Sequence, residues 1–155
     1  LFILTFDVQA FFIPSESMLP TLRVHDHILV NKFVYRFREP RYGEIVVFRA
    51  PRGATGDGAE RDFIKRLIAK PGDTIEVKDG AVYRNGRRLV EPYLADRRIR
   101  YDMDFAQVPA GYIFVLGDNR NDSNDSHAWG PLDRRRLVGK AMVVFWPPDR
   151  IMTIR

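Results

Sequence analysis

The feature that most constrains the fold is a succession of short runs of β-branched, aromatic and aliphatic residues, each cut off by Gly, Pro, Asn or Asp, without sustained helical periodicity. Seven runs predict strands, at 27–32, 44–49, 62–69, 74–78, 81–84, 112–116 and 138–146. Asp79-Gly80 and Asn85-Gly86 are tight-turn dipeptides between such runs, so this stretch predicts a hairpin or meander. The chain reads as mostly β.

With 155 residues, it holds one compact core or a core with a small inserted lobe. Residues 87–107 are charged and irregular, with Arg87, Arg88, Arg97, Arg98 and Arg100 set among Tyr93, Tyr101 and Phe105. They lack the recognition helix or aromatic platform of a nucleic-acid surface, so a solvated lobe is expected. The expected partition is a core from 1–76 and 108–155 and an inserted β lobe at 77–107. The stretch PRGATGDGAER, 51–61, predicts an exposed, mobile loop.

Cysteine is absent, which excludes a disulfide framework, a thiol nucleophile and a Cys-rich zinc site. A net charge of +5 suits anionic lipid, nucleic acid or acidic partners without choosing among them. The apolar run Leu1–Leu4 is interrupted by Thr5, Phe6 and Asp7, far short of the roughly 20 residues that span a membrane. A chain that opens inside an apolar run is expected to follow a membrane anchor upstream, which makes 1–10 a membrane-proximal segment.

Three segments carry candidate chemistry. In IPSESMLPT, 13–21, two prolines stiffen a short polar centre, and an extended backbone puts Ser15 and Ser17 on one face with Glu16 opposite. A turn or capping role beside proline accounts for these serines equally well. A serine nucleophile needs a base. His25 and His27 flank Asp26, and His127 lies in a loop rich in Asp, Asn and Ser, but none stands in a recognisable Ser-His-Asp pattern.

In DFIKRLIAKPGD, 62–73, strand alternation places Lys65 between Phe63 and Leu67, with Arg66 on the other face beside Ile64 and Ile68. Apolar neighbours favour a neutral amine, although a surface lysine lying over apolar residues gives the same pattern. The third segment, GDNRNDSNDSHAWG at 117–130, is a dense polar loop after a strand. Asp118, Asn119, Asp122 and Asp125 offer oxygen ligands, but their spacing departs from the twelve-residue calcium loop, which favours hydrogen bonding within the loop. A serine of this loop orienting the lysine amine stays open.

Together, and in this order, the three segments resemble the bacterial type I signal peptidases. YGEIVVF, VYRNGR, VPAGYIFVLGDN and LVGKAMVVFWPPDR match as well, so the resemblance spans residues 11–151. It implies a catalytic β core with a small inserted β lobe, and a serine endopeptidase that removes signal peptides from exported precursors after small residues of the Ala-X-Ala type. Carried onto this sequence, it implies Ser17 as nucleophile and Lys65 as base, Ser15 in the oxyanion hole with the Ser17 N–H, Ser123 on the lysine amine, and Asp125 as a supporting acid. The implied partners are signal peptides and a membrane phospholipid surface, without nucleic acid, metal or organic cofactor. The implied place is the extracytoplasmic side of the cell membrane, held by a single anchor. Two positions depart from the pattern: Glu16 stands where Gly is frequent, and His127 where Arg is usual, which gives Asp125 a titratable neighbour.

Two other classes fit parts of the chain. A self-cleaving repressor domain shares Ser-Lys logic but leaves 117–130 unexplained, and a basic β-rich module for RNA or anionic membrane would leave the serines and Lys65 incidental.

Overall fold

The computed structural model describes residues 7–56, 61–95 and 98–155. The apolar run at 1–4, part of the 51–61 loop and Arg97 lie outside the described residues.

An antiparallel sheet of eight strands runs in the order β1 (Val8–Phe12), β2 (His27–Asn31), β11 (Leu137–Trp146), β3 (Ile45–Arg49), β4 (Asp62–Ala69), β9 (Tyr112–Leu116) and β10 (Leu132–Asp133), with β12 (Met152–Thr153) paired to β11. Every pairing along this path is antiparallel, so β1 and β4, four steps apart, run in the same direction. The sheet is covered on both faces. Ile45 and Val47 of β3 enter a core with Ile13, Met18, Leu22, Ile28 and Val144, while Val46 and Phe48 enter another with Leu67, Val115 and Leu132. A strand covered on both faces reads as a continuous apolar run, which is why IVVF stood out in the sequence.

A second sheet has the order β7 (Arg87–Arg88), β6 (Ala81–Arg84), β5 (Thr74–Lys78) and β8 (Met103–Gln107). Its two turns have positive φ at both central residues, 51° and 79° at Asp79-Gly80 and 54° and 79° at Asn85-Gly86, the geometry that matches strand twist in two-residue hairpins. The sheet begins at Thr74, and its core is continuous with the first sheet, since Ile75, Val77, Val82 and Ile99 pack with Ile68, Phe114 and Leu116.

The seven expected strands form, within one residue at their ends. β1 and β8 were not expected: both are edge strands with mostly exposed residues, held by backbone pairing rather than by an alternating apolar face. Most described residues of 87–107 are exposed, as expected of a solvated lobe. Leu94 and Ile99 are nevertheless buried, and Tyr93 and Tyr101 pack against Arg66 and His127.

Candidate active site

The ladder of β1 and β2 continues one residue past Phe12: the Ile13 N–H donates to Asp26 O and the His25 N–H to Ile13 O, each at 2.9 Å. Pro14 has no N–H to extend it. The chain then turns, closed by Leu19 N–H to Glu16 O at 3.1 Å and Leu22 N–H to Met18 O at 3.0 Å, with Met18 and Leu22 fully buried beneath. The stiff extended segment expected at 13–21 is thus a turn from Ser15 onward, because two apolar anchors pull it into the core. The two serines still meet, Ser15 Oγ donating to Ser17 Oγ at 3.3 Å. Glu16 borders the cleft beside them.

Lys65 sits in β4, 4% exposed, and its Nζ donates to Ser17 Oγ at 2.8 Å. The amine also lies 5.2 Å from the Phe63 ring centroid. Burial disfavours its charged form and lowers its pKa from 10.5 to about 8, with the charge of Asp125 acting in the opposite direction.

The polar loop closes over this pair. Asn119 N–H donates to Ser17 O at 2.9 Å and its side-chain amide to Glu16 O at 3.1 Å, so the loop grips the Ser17 turn through backbone acceptors. Gly117 passes so close that a Cβ there would stand 2.2 Å from Ser123 Oγ and 2.5 Å from Ser17 O, which restricts the position to glycine. Ser123 Oγ is buried without a hydrogen-bond partner among the described residues and borders the cleft that holds Ser17 and Lys65.

Asp125, fully buried, accepts the Gly117 N–H at 2.9 Å and the His127 N–H at 3.1 Å, and meets His127 Nδ1. It thereby caps the short helix α1 (Ser126–Trp129). Asp118 accepts Arg66 Nε and Nη2 at 2.8 and 2.7 Å and the Thr21 hydroxyl at 2.5 Å. Asp118 thus faces the Arg66 guanidinium and a hydroxyl, and Asp125 faces backbone donors and an imidazole; no group of three or more His, Asp or Glu gathers as a metal set among the described residues.

His25 and His27 lie elsewhere, in an aromatic cluster with Phe12 and Phe145. The cleft itself has a volume of about 850 Å³ and is bordered by residues 14–17, 61–65 and 121–124 with Ala128. The structure therefore brings Ser15, Ser17, Lys65 and Ser123 to one cleft, with Asp125 buried within the polar loop.

A family model described as signal peptidase, peptidase S26, matches residues 1–146. The chain belongs to the signal peptidase family. The probable signal peptidase I-1 of Synechocystis sp. is 45% identical over 141 residues, covering 90% of this chain and 71% of that protein. The signal peptidase I of Bacillus amyloliquefaciens is 36% identical over 149 residues, 90% of this chain and 74% of that one. A crystal structure of a signal peptidase I from Enterococcus faecalis superposes with a TM-score of 0.57 at 32% identity, covering 66% of this chain and 97% of the other. Membership in the signal peptidases makes the protein an enzyme, a serine peptidase and a hydrolase, on a mostly β fold.

Several supports of this signal peptidase site escaped sequence reasoning. Arg66, 2% exposed, crosses from β4 to Asp118 and lies 3.8 Å under the Tyr93 ring. Arg120 pairs with Glu91 at 2.9 and 2.6 Å. An arginine beside Ile64 and Ile68 on one face of a strand was the available signal for Arg66, since such a group is buried only with a partner.

Proposed function

We propose that this signal peptidase cleaves signal peptides from exported precursors after small residues, in Ala-X-Ala contexts, with a Ser17–Lys65 dyad. The reading rests chiefly on the 2.8 Å approach of the buried Lys65 amine to the Ser17 hydroxyl. Neutral Lys65 accepts the Ser17 proton as Oγ attacks the peptide carbonyl, then gives it to the leaving amine. The oxyanion is held by the Ser17 N–H and the Ser15 hydroxyl, which rotates away from Ser17 Oγ; such a donor is worth about 3 to 4 kcal/mol. A water deprotonated by Lys65 hydrolyses the acyl-enzyme. Ser123 orients the amine and Asp125 steadies its loop, a role consistent with the buried, unpartnered Ser123 hydroxyl. Chemistry written this way needs no metal or organic cofactor.

An open strand edge supports the choice of substrate. β4 pairs with β3 from Asp62 to Arg66, but β9 joins its other edge only at Arg66. Among the described residues, no strand pairs with this edge at 62–65 beside the cleft, where a precursor adds as an extended strand with its small side chains toward Ile64 and Pro14.

In the same reading, the core of 1–76 and 108–155, with 77–107 as its inserted lobe, acts at a phospholipid surface on the extracytoplasmic side, below an upstream anchor, and binds no nucleic acid. Phe12, Trp146 and Ile151 support it, being 48%, 53% and 62% exposed, with Phe12 and Trp146 both paired to His27. Among the described residues, no helix is long and apolar enough to cross a membrane.

The test is exposure of the protein to an acylating serine-peptidase inhibitor, followed by mass spectrometry of the digested chain. The adduct is expected on Ser17. Salt-sensitive retention of RNA with Ser17 unmodified would overturn the proposal in favour of a binding module.

A further inference from the structure

The inserted sheet reaches the catalytic loop at a point the reaction above does not use. Tyr101, two residues ahead of β8, lies flat on the His127 imidazole, with ring centroids 4.1 Å apart and planes 19° from parallel. The Tyr101 hydroxyl is buried without a hydrogen-bond partner among the described residues, so the position contributes its ring face. On the catalytic side, His127 Nδ1 meets Asp125 Oδ1, while Asp125 Oδ2 accepts the Gly117 N–H. An imidazole held by a ring face and a carboxylate has both its plane and its Nδ1 direction fixed.

We propose that Tyr101 and His127 are positioning residues for the peptidase reaction: the stack fixes the imidazole, the imidazole fixes Asp125, and Asp125 holds the polar loop against Ser17 and Lys65. This rests on the Ser17–Lys65 reading and extends it to the inserted lobe. Asp125 is the charge that favours protonated Lys65 against burial. A permanent cation in place of the imidazole would cancel much of that field and lower the Lys65 pKa further. Arg120 and Glu91, paired with each other, also act electrostatically on Tyr101.

The experiment measures kcat and KM against pH on an Ala-X-Ala precursor for the native chain, His127→Arg, His127→Asn, Tyr101→Leu and Tyr101→Phe. The permanent cation of His127→Arg is expected to move the acid limb of kcat/KM about 0.5 to 1 pH unit lower. His127→Asn, which removes the ring stacked on Tyr101, is expected to lower kcat about tenfold without that displacement. Tyr101→Leu is expected to lower kcat about tenfold with KM unchanged, and Tyr101→Phe to restore it. If Tyr101→Leu does not fold, the two His127 profiles decide. Profiles of both His127 variants that superimpose on the native one overturn the inference, as does a Tyr101→Leu effect confined to thermal stability. Ser17→Ala run alongside separates the two levels: full turnover there sinks the dyad itself, whereas its loss beside native-like His127 and Tyr101 variants sinks only the positioning role.

Discussion

The amine of Lys65 lies 2.8 Å from the hydroxyl of Ser17, with the two residues 4% and 8% exposed. They come from segments 48 residues apart, one in a strand and one in a turn just past a strand that runs parallel to it. The turn anchored in the core by Met18 and Leu22 brings the serine to the strand lysine. Burial supplies what a lysine base needs, an amine that loses its proton near neutral pH.

Activity is expected to follow neutral Lys65. With its pKa lowered to about 8, kcat/KM should rise with pH through that value and level off above it. A plateau extending down to pH 6 in initial-rate measurements would speak against the lysine as base.

Replacing Ser15 by alanine is expected to lower kcat by roughly 100- to 1,000-fold with little change in KM, the loss of one oxyanion donor. Its hydroxyl is partly exposed, so circular dichroism should remain native. Turnover within twofold of the native rate would remove Ser15 from the oxyanion hole.

Lys65 should also cost stability in a pH-dependent way. Below pH 8 it is protonated in both folded and unfolded chains, and the folded chain bears the full penalty of the buried charge, of the order of 3 kcal/mol for a fall from 10.5 to about 8. Between pH 8 and 10.5 the folded chain has lost a proton that the unfolded chain still binds, so the penalty fades. Lys65→Met is expected to gain about 1 to 3 kcal/mol at pH 7, less the hydrogen bond to Ser17, and much less at pH 10. Equal urea midpoint shifts at the two pH values would contradict this.

The Arg66–Asp118 pair, 2% and 0% exposed, clasps β4 to the polar loop. Asp118→Leu leaves a buried guanidinium without its partner and should cost about 3 to 5 kcal/mol in chemical denaturation. The double variant Arg66→Met with Asp118→Leu should recover much of that loss. A double variant no more stable than the single one would show that the clasp depends on the ion pair itself.

The strands were legible where burial writes a pattern into the chain, as in IVVF of β3 and FIKRLIA of β4, and the turns where Asp-Gly and Asn-Gly demand positive φ. Ser17 and Lys65 were legible only jointly, since a proline-flanked serine and a lysine among apolar residues each have ordinary explanations. What could not be read was set by close approach between distant segments. Gly117 is glycine because Ser123 and Ser17 crowd it, and Tyr101 matters because it reaches His127 across 26 residues. The turn at Ser15 was missed because Met18 and Leu22 anchor it from below, a tertiary pull that strand alternation does not contain.

The most direct test of the central claim is cleavage of an Ala-X-Ala precursor by Ser17→Ala and Lys65→Ala, each with its fold checked by thermal melting. Loss of turnover by at least about 1,000-fold in both, with native-like melting, is the result predicted for a Ser-Lys dyad. Near-native turnover in either folded variant would contradict it.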